Sequence, residues 1–358
     1  MKYKTICFLM PFYKGDYPVG GLKIVLQYAN RLAKDGHKVK IVYPYTVRYN
    51  AQLSFYQRLR NIKTYYANRK VEWRNSDNWF NKNAGVEEIE VYSLEYKYVP
   101  KADLYIATGV ETSDYVKDYP VKDKYYFIQG YEDWGRSTSE LLKTYHYPLS
   151  KIAISTWLQK IVMKEREKCS LVTNGFELDK FYVTIPPQER CKTNICMLYH
   201  TQNLKNSLLG FRALEIVHQK YPSLTVSLFG APKNPENLPI WYHYKQQPSS
   251  EELLDIYNNA AIFVGTSNIE GWGLTVGEAM LCGEAVACTD IDGYREMAKH
   301  NTNALLSPVG DAEQLAKNII RLIENDELRI QLANTAAEDI KRFSIEKSYQ
   351  DFKKVLKL

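Results

Sequence analysis

Residues 266–283 read TSNIEGWGLTVGEAMLCG, with two carboxylates, Glu270 and Glu278, eight positions apart. Gly271, Gly273 and Gly277 lie between them and Gly283 just after. The stretch AIFVGT before them reads as a strand and LTVGEAMLCG as a helix, so SNIEGWG is the loop between. In α/β architectures ligands bind at such strand-to-helix junctions. Small residues let the backbone approach a ligand closely, and the free N–H groups of a helix start favour phosphate oxygens. Carboxylates accept hydrogen bonds from sugar hydroxyls. An acid at the loop mouth and another one turn into the helix would bracket a ligand with hydroxyls at both ends and a diphosphate in the middle, as in a nucleotide-sugar. The plainer alternative is a pair of solvated acids on a helix surface.

The elements that must carry this loop follow a repeated pattern of strand, Gly-rich turn and helix. KTICFLM is a strand, followed by PFYKGDYPVGG and by KIVLQYANRLAKDG, whose Ile24, Val25, Tyr28 and Leu32 recur at helical spacing. HKVKIVYPY, ADLYIAT, KYYFIQ and KIAIS are further strands, and STWLQKIVMKEREKC is a helix capped by Ser155 or Thr156. In the second half NICMLYH, LTVSLFG, AIFVGT and AVACT alternate with helices SLLGFRALEIVHQKY, SEELLDIYNNA, LTVGEAMLCG and DAEQLAKNIIRLIEN. Alternation of this kind, occurring twice, predicts two Rossmann-like α/β domains with parallel sheets. Gly175, Pro186 and Pro187 punctuate the boundary, giving domains over 1–180 and 190–342.

Composition narrows the remaining classes. The chain has 358 residues, 45% hydrophobic and 25% charged, as a folded two-domain protein should. Apolar runs such as Ala260 to Val264 are too short to span a bilayer, and the N-terminal apolar run lacks a small-residue cleavage site. The protein is therefore expected in the cytoplasm. Its six cysteines form no CxxC pair and its six histidines are scattered, so neither a metal centre nor a disulfide framework is expected. Net charge is +6, and the asymmetry is larger: residues 1–190 hold 30 Lys and Arg against 21 Asp and Glu, the remainder 17 against 20. The stretch 52–83 mixes Tyr, Trp and Phe with Arg and Lys and fits no sheet element. It shows no nucleic-acid-binding module and no nucleic acid is expected as partner. An aromatic and basic loop at an anionic membrane, or closing over an acceptor, stands beside a solvated helix packed by its aromatic stripe.

The E-x7-E of EGWGLTVGEAMLCG resembles the signature of retaining glycosyltransferases of family 4, which have the GT-B fold. PVGGLKIVLQYANRLAKDGHKV, STWLQKIV followed by TNGFELDKFY, and AVACTDIDGYREMAKHNTNALLSPVGDAEQLAKNIIRLI are similar to further stretches of that family, in the right order. The resemblance covers nearly the whole chain except about 50–100. It implies two sheets facing across a cleft, with a C-terminal helix (343–358) packing back on the N-terminal domain. It implies that Glu270 contacts the donor sugar and Glu278 the ribose. Gly271, Trp272, Gly273 and Leu274 would supply backbone to sugar and phosphate, with Thr275 at the helix start. Gly20 and Gly21 would form a turn facing the donor phosphates. No metal or other cofactor is implied; the family uses an Arg and a Lys to neutralise the leaving diphosphate. Here Lys205 holds the lysine place, His200 stands for the arginine, and Asn206 replaces the family's glycine.

A second departure lies in YYFIQGYEDWG, where Gln129 occupies the place of a histidine found in many relatives. Its amide can bond a sugar hydroxyl but cannot act as a base; Glu132 and Asp133 nearby could serve the acceptor. Structural packing of Tyr131 and Trp134 is the other reading of that run. The implied activity is hexosyl transfer from a nucleotide-diphosphate sugar to a glycan or lipid-linked acceptor, in bacterial surface polysaccharide or glycoconjugate assembly. The basic N-terminal half leaves peripheral attachment to the inner face of the membrane open. Two alternatives remain: an NDP-sugar epimerase, and a nucleotide-sugar-binding partner subunit without catalysis, which Gln129 and His200 suggest. A nicotinamide dehydrogenase is disfavoured because no GxGxxG follows the first strand.

Overall fold

The apolar runs become the inner strands of two parallel sheets in a computed structural model, which describes residues 3–12, 20–46, 56, 59, 60, 62, 63, 80–133 and 135–358. The chain divides into two compact units, one of residues 1–173 with 349–358 and one of residues 174–348. The first holds a seven-stranded sheet in the order β3-β2-β1-β4-β5-β6-β7. Its strands are β1 (Thr5–Leu9), β2 (Lys38–Thr46), β3 (Val86–Ser93), β4 (Leu104–Ala107), β5 (Asp123–Ile128), β6 (Ser150–Ala153) and β7 (Cys169–Leu171). The second holds a six-stranded sheet in the order β10-β9-β8-β11-β12-β13. These strands are β8 (Asn194–Leu198), β9 (Thr225–Gly230), β10 (Tyr242–Gln246), β11 (Ile262–Gly265), β12 (Ala285–Thr289) and β13 (Ala304–Ser307). Every pairing is parallel. The expected class, two Rossmann-like α/β domains, is what forms.

Parallel strands joined by helical crossovers have both faces covered, which is why β4, β11 and β12 are buried at every position. In each sheet the order reverses beside its first strand, β1 in one and β8 in the other, and ligands bind at such switch points. The final helix, Ile345–Leu356, begins in the second unit and ends in the first. Within the first unit its Phe352 stacks on Tyr28 at 4.3 Å, and Tyr349 and Lys353 both donate to Asp35 Oδ2 at 2.7 Å.

Three local expectations need correction. Gly20 and Gly21 are the first two residues of the Gly20–Lys34 helix, so they are its N-terminal end and not a separate turn. Ser155 sits at the N-cap of the Thr156–Lys164 helix, but its buried hydroxyl bonds nothing among the described residues. Four strands absent from the sequence reading, β3, β7, β10 and β13, are present, and they are the four sheet edges. Most of 52–83, and Trp134, lie outside the described residues. Among the described residues no helix is long and apolar enough to cross a membrane.

Candidate functional site

In the second unit two strand-to-helix junctions stand side by side, because β8 and β11 are neighbours. After β8 the chain turns through His200 and Lys205 into the Ser207–Lys220 helix. Asn206 caps that helix with φ +45° and ψ +48°, and its side-chain oxygen accepts the Leu209 N–H at 3.3 Å. Glycine adopts this left-handed geometry freely and asparagine tolerates it, so the replacement at 206 keeps the turn and adds a cap.

After β11 the loop is stitched to that turn. Thr266 Oγ1 donates to the Lys205 carbonyl at 2.8 Å, the Asn268 N–H to the Leu204 carbonyl at 2.8 Å, and Asn206 Nδ2 to Asn268 Oδ1 at 2.9 Å. Across this seam Lys205 Nζ donates to Glu270 Oε1 at 2.5 Å, and Ser267 Oγ donates to the same oxygen at 2.8 Å. Lys205 and Glu270 are 65 residues apart in sequence, and their side chains are 28% and 14% exposed. A cation and a carboxylate are thus held in contact at the rim, both reachable from solvent.

Gly273 precedes the Leu274–Leu281 helix with φ +102°, a backbone that L side chains rarely adopt. A Cβ there would also fall 2.6 Å from the Tyr294 ring. Gly293 lets its own backbone close on Glu270, since a Cβ would stand 2.3 Å from the Glu270 carbonyl oxygen. The loop is therefore drawn tight against residues 293 and 294 by the absence of two side chains. Gly271, Leu274 and Thr275 are partly exposed, whereas Trp272 is buried with its ring edge-on to Phe343 at 5.0 Å. Glu278 is 4% exposed and accepts the Tyr257 phenol on Oε2 at 3.1 Å.

His200 is half-buried, and its Nδ1 accepts the Gln202 N–H at 3.0 Å, which places the ring proton of the neutral form on Nε2. Burial, and then the Lys205 charge, lower its pKa from the ordinary 6.5. At neutral pH the imidazole is uncharged, and Lys205 carries the positive charge of this junction.

The first unit assembles a separate group of the expected residues. Gln129 follows β5, and its Nε2 donates to the Thr108 carbonyl at 3.1 Å. Its Oε1 is buried and unpartnered among the described residues. Gly21 faces this carboxamide: a Cβ would lie 3.3 Å from both terminal atoms. Glu132 is 8% exposed and takes the Val110 N–H on Oε2 at 2.5 Å, at the start of the Val110–Val116 helix. Burial, reinforced by Glu111, pushes its carboxyl up to about 8, so it stays largely protonated at pH 7. Asp133 is exposed, and Gly20 is exposed at the helix start. Two further members went unseen in the sequence: Ser267, which shares Glu270 with Lys205, and Tyr257, which holds Glu278. Ser267 sits three residues before Glu270, the one hint spacing offered; nothing local ties Tyr257 to position 278.

Residues 212–339 match the sequence model of the family glycosyl transferases group 1. A similar curated protein is N,N'-diacetylbacillosaminyl-diphospho-undecaprenol alpha-1,3-N-acetylgalactosaminyltransferase of Campylobacter jejuni, 26% identical over 51% of this chain and 52% of its own. The chain spans about half the length of the curated relatives it matches. Among solved structures, Anabaena HepE in complex with UDP-glucose superposes with a TM-score of 0.73 over 99% of this chain and 100% of its own, at 17% identity. S. aureus TarM does so with a TM-score of 0.73 over 99% and 100%, at 12% identity. The chain has the GT-B fold, and its residues 212–339 match the model of glycosyl transferases group 1.

Proposed function

We propose that this protein transfers a sugar from a nucleotide-diphosphate donor to an acceptor hydroxyl with retention at the anomeric carbon, in bacterial surface polysaccharide or glycoconjugate assembly. One observation carries the reading: Lys205 and Glu270, brought from distant positions into contact at the mouth of β8 and β11, beside the open N-terminus of the Leu274–Leu281 helix. That is a cation for a phosphate, a carboxylate for sugar hydroxyls, and backbone amides between. The UDP-glucose bound by HepE and the lipid-linked acceptor named for the Campylobacter enzyme support the same choice of partners.

In this mechanism the bond from the anomeric carbon to the donor's phosphate oxygen breaks while the acceptor oxygen bonds that carbon on the same face. The acceptor proton passes to the leaving phosphate. Lys205 offsets the charge growing on the diphosphate, and neutral His200 can donate its Nε2 proton as a hydrogen bond. Glu270 fixes the sugar hydroxyls, and the chemistry needs no metal. In the first unit Gln129 Oε1, which has no partner among the described residues, can accept from a hydroxyl, and protonated Glu132 holds the Val110 N–H. The basic residues of 1–190 suit an acceptor at an anionic membrane surface.

The test is nucleotide release from a panel of UDP-, GDP- and dTDP-sugars, with and without acceptor extract, repeated with Glu270→Ala. Acceptor-dependent release that the substitution abolishes is the expected result. Release without acceptor, or an epimerised sugar, would overturn the proposal. Donor binding with no turnover under any acceptor would make the chain a binding subunit instead.

A further inference from the structure

We propose that Tyr257 is a positioning residue for the donor nucleotide, its phenol setting the Glu278 carboxylate to take the ribose. The inference rests on the donor reading above and adds to it a residue on a different helix. Tyr257 lies in the last turn of the Ser250–Asn259 helix, and its hydroxyl donates to Glu278 Oε2 at 3.1 Å with both residues buried. A carboxylate has about four lone-pair positions, so accepting the phenol constrains its rotation without exhausting it.

The phenol is itself held rigidly. The Tyr257 ring packs against Phe229 at 5.4 Å, Phe181 at 5.9 Å and Phe263 at 6.2 Å, all near edge-on or tilted. Arg190 then ties the two helices together. Its guanidinium donates to the carbonyls of Tyr257 at 3.2 Å and Ala260 at 3.0 Å, and to that of Cys282 just past the Leu274–Leu281 helix. Cations suit helix C-termini, where carbonyls lack partners. Both helix ends are thereby registered to each other, and the phenol reaches Glu278 at a fixed height. A side chain meant only to fill the core would need no hydroxyl, and Phe would serve among these rings.

The experiment measures binding of UDP and GDP, and of their 2′,3′-dideoxy analogues, to the full chain by calorimetry. Wild type is expected to prefer the ribonucleotide of whichever base binds. Tyr257→Phe is expected to weaken that ribonucleotide about tenfold, the scale of one hydrogen bond to a charged group, and to leave the dideoxy analogue within twofold. Glu278→Gln should do the same, and the double variant should be no weaker than Glu278→Gln alone. Phe181→Leu, which thins the same aromatic cluster, should lower the melting temperature and leave the discrimination intact. Equal weakening of both analogues by Tyr257→Phe, no weakening, or additivity with Glu278→Gln would overturn the inference. A wild type that binds nucleotide but ignores the ribose hydroxyls would overturn the inference and the ribose role of Glu278, with donor binding standing. A wild type that binds neither nucleotide would overturn the donor reading, and this inference with it.

Discussion

Lys205→Met separates the catalytic reading of the Lys205–Glu270 contact from a structural one by magnitude. Methionine keeps most of the aliphatic stem and deletes the charge, so packing along the stem survives. The pair sits at the rim with 28% and 14% of its side chains exposed, and a partly solvated ion pair contributes no more than about 1 kcal/mol to folding. In a unit of this size that is a fall in melting temperature of about 2–4 °C. Ser267 still donates to Glu270 at 2.8 Å, which limits the cost of the orphaned carboxylate further.

The effect on transfer should be of another order. Two unit charges 4 Å apart at an effective dielectric of about 20 interact by about 4 kcal/mol, and removing one preorganised donor from a developing oxyanion costs about 100- to 1000-fold. With His200 neutral, Lys205 is the one cation acting on this histidine among the described residues. The expectation is a fall in kcat/KM of at least 100-fold with a melting temperature within about 4 °C of wild type, read by nucleotide release and by calorimetric melting. A variant that keeps kcat/KM within threefold, or that loses activity only in proportion to its folded fraction, would refute the reasoning.

Glu132→Gln should alter how stability depends on pH. The folded carboxyl titrates at about 8 and the unfolded one near 4.3, so the native state binds the extra proton between those values. Its stabilising contribution is complete below about pH 4 and is lost as pH rises towards 8, so the advantage of the glutamine variant in melting temperature should grow across that window; parallel curves would refute the assignment. Gly21→Ala should split stability from activity. Alanine at a helix start costs nothing in propensity, while its Cβ would press the Gln129 carboxamide from 3.3 Å, so the melting temperature should hold and kcat/KM fall several-fold. Unchanged activity would remove Gln129 from the site.

What was legible in the sequence follows the physics of burial. Inner strands such as β4, β11 and β12 are covered on both faces and read as unbroken apolar runs. The missed strands are edges. β3 carries Glu87, Glu88 and Glu90, β10 exposes His243, Gln246 and Lys245, and β7 and β13 are three and four residues long. Charge on an edge keeps other chains from pairing there, and the same charge hides the strand from a reading by hydrophobicity.

The site divides along a similar line. Glu270, Gly273 and Glu278 were visible because one short loop and one helix turn carry them. The Lys205–Glu270 contact joins positions 65 apart and was not legible: the resemblance gives each residue its own place at the donor, and no spacing rule links the ends of two neighbouring parallel strands. His200 shows why residue type alone was insufficient. A histidine in an arginine's place reads as a weakened cation, yet burial, Lys205 and the Gln202 N–H together make it a neutral donor. The charge of the junction is therefore decided by burial and by how the turn folds Gln202 and Lys205 back on His200, which residue type does not disclose. Asn206 shows the converse. A departure from the family's glycine proves conservative once its backbone angles are known, because both residues satisfy the same left-handed turn. A substitution within a ligand loop thus has to be weighed by the conformation and charge it must supply, and those two quantities ranked His200 and Asn206 in opposite ways.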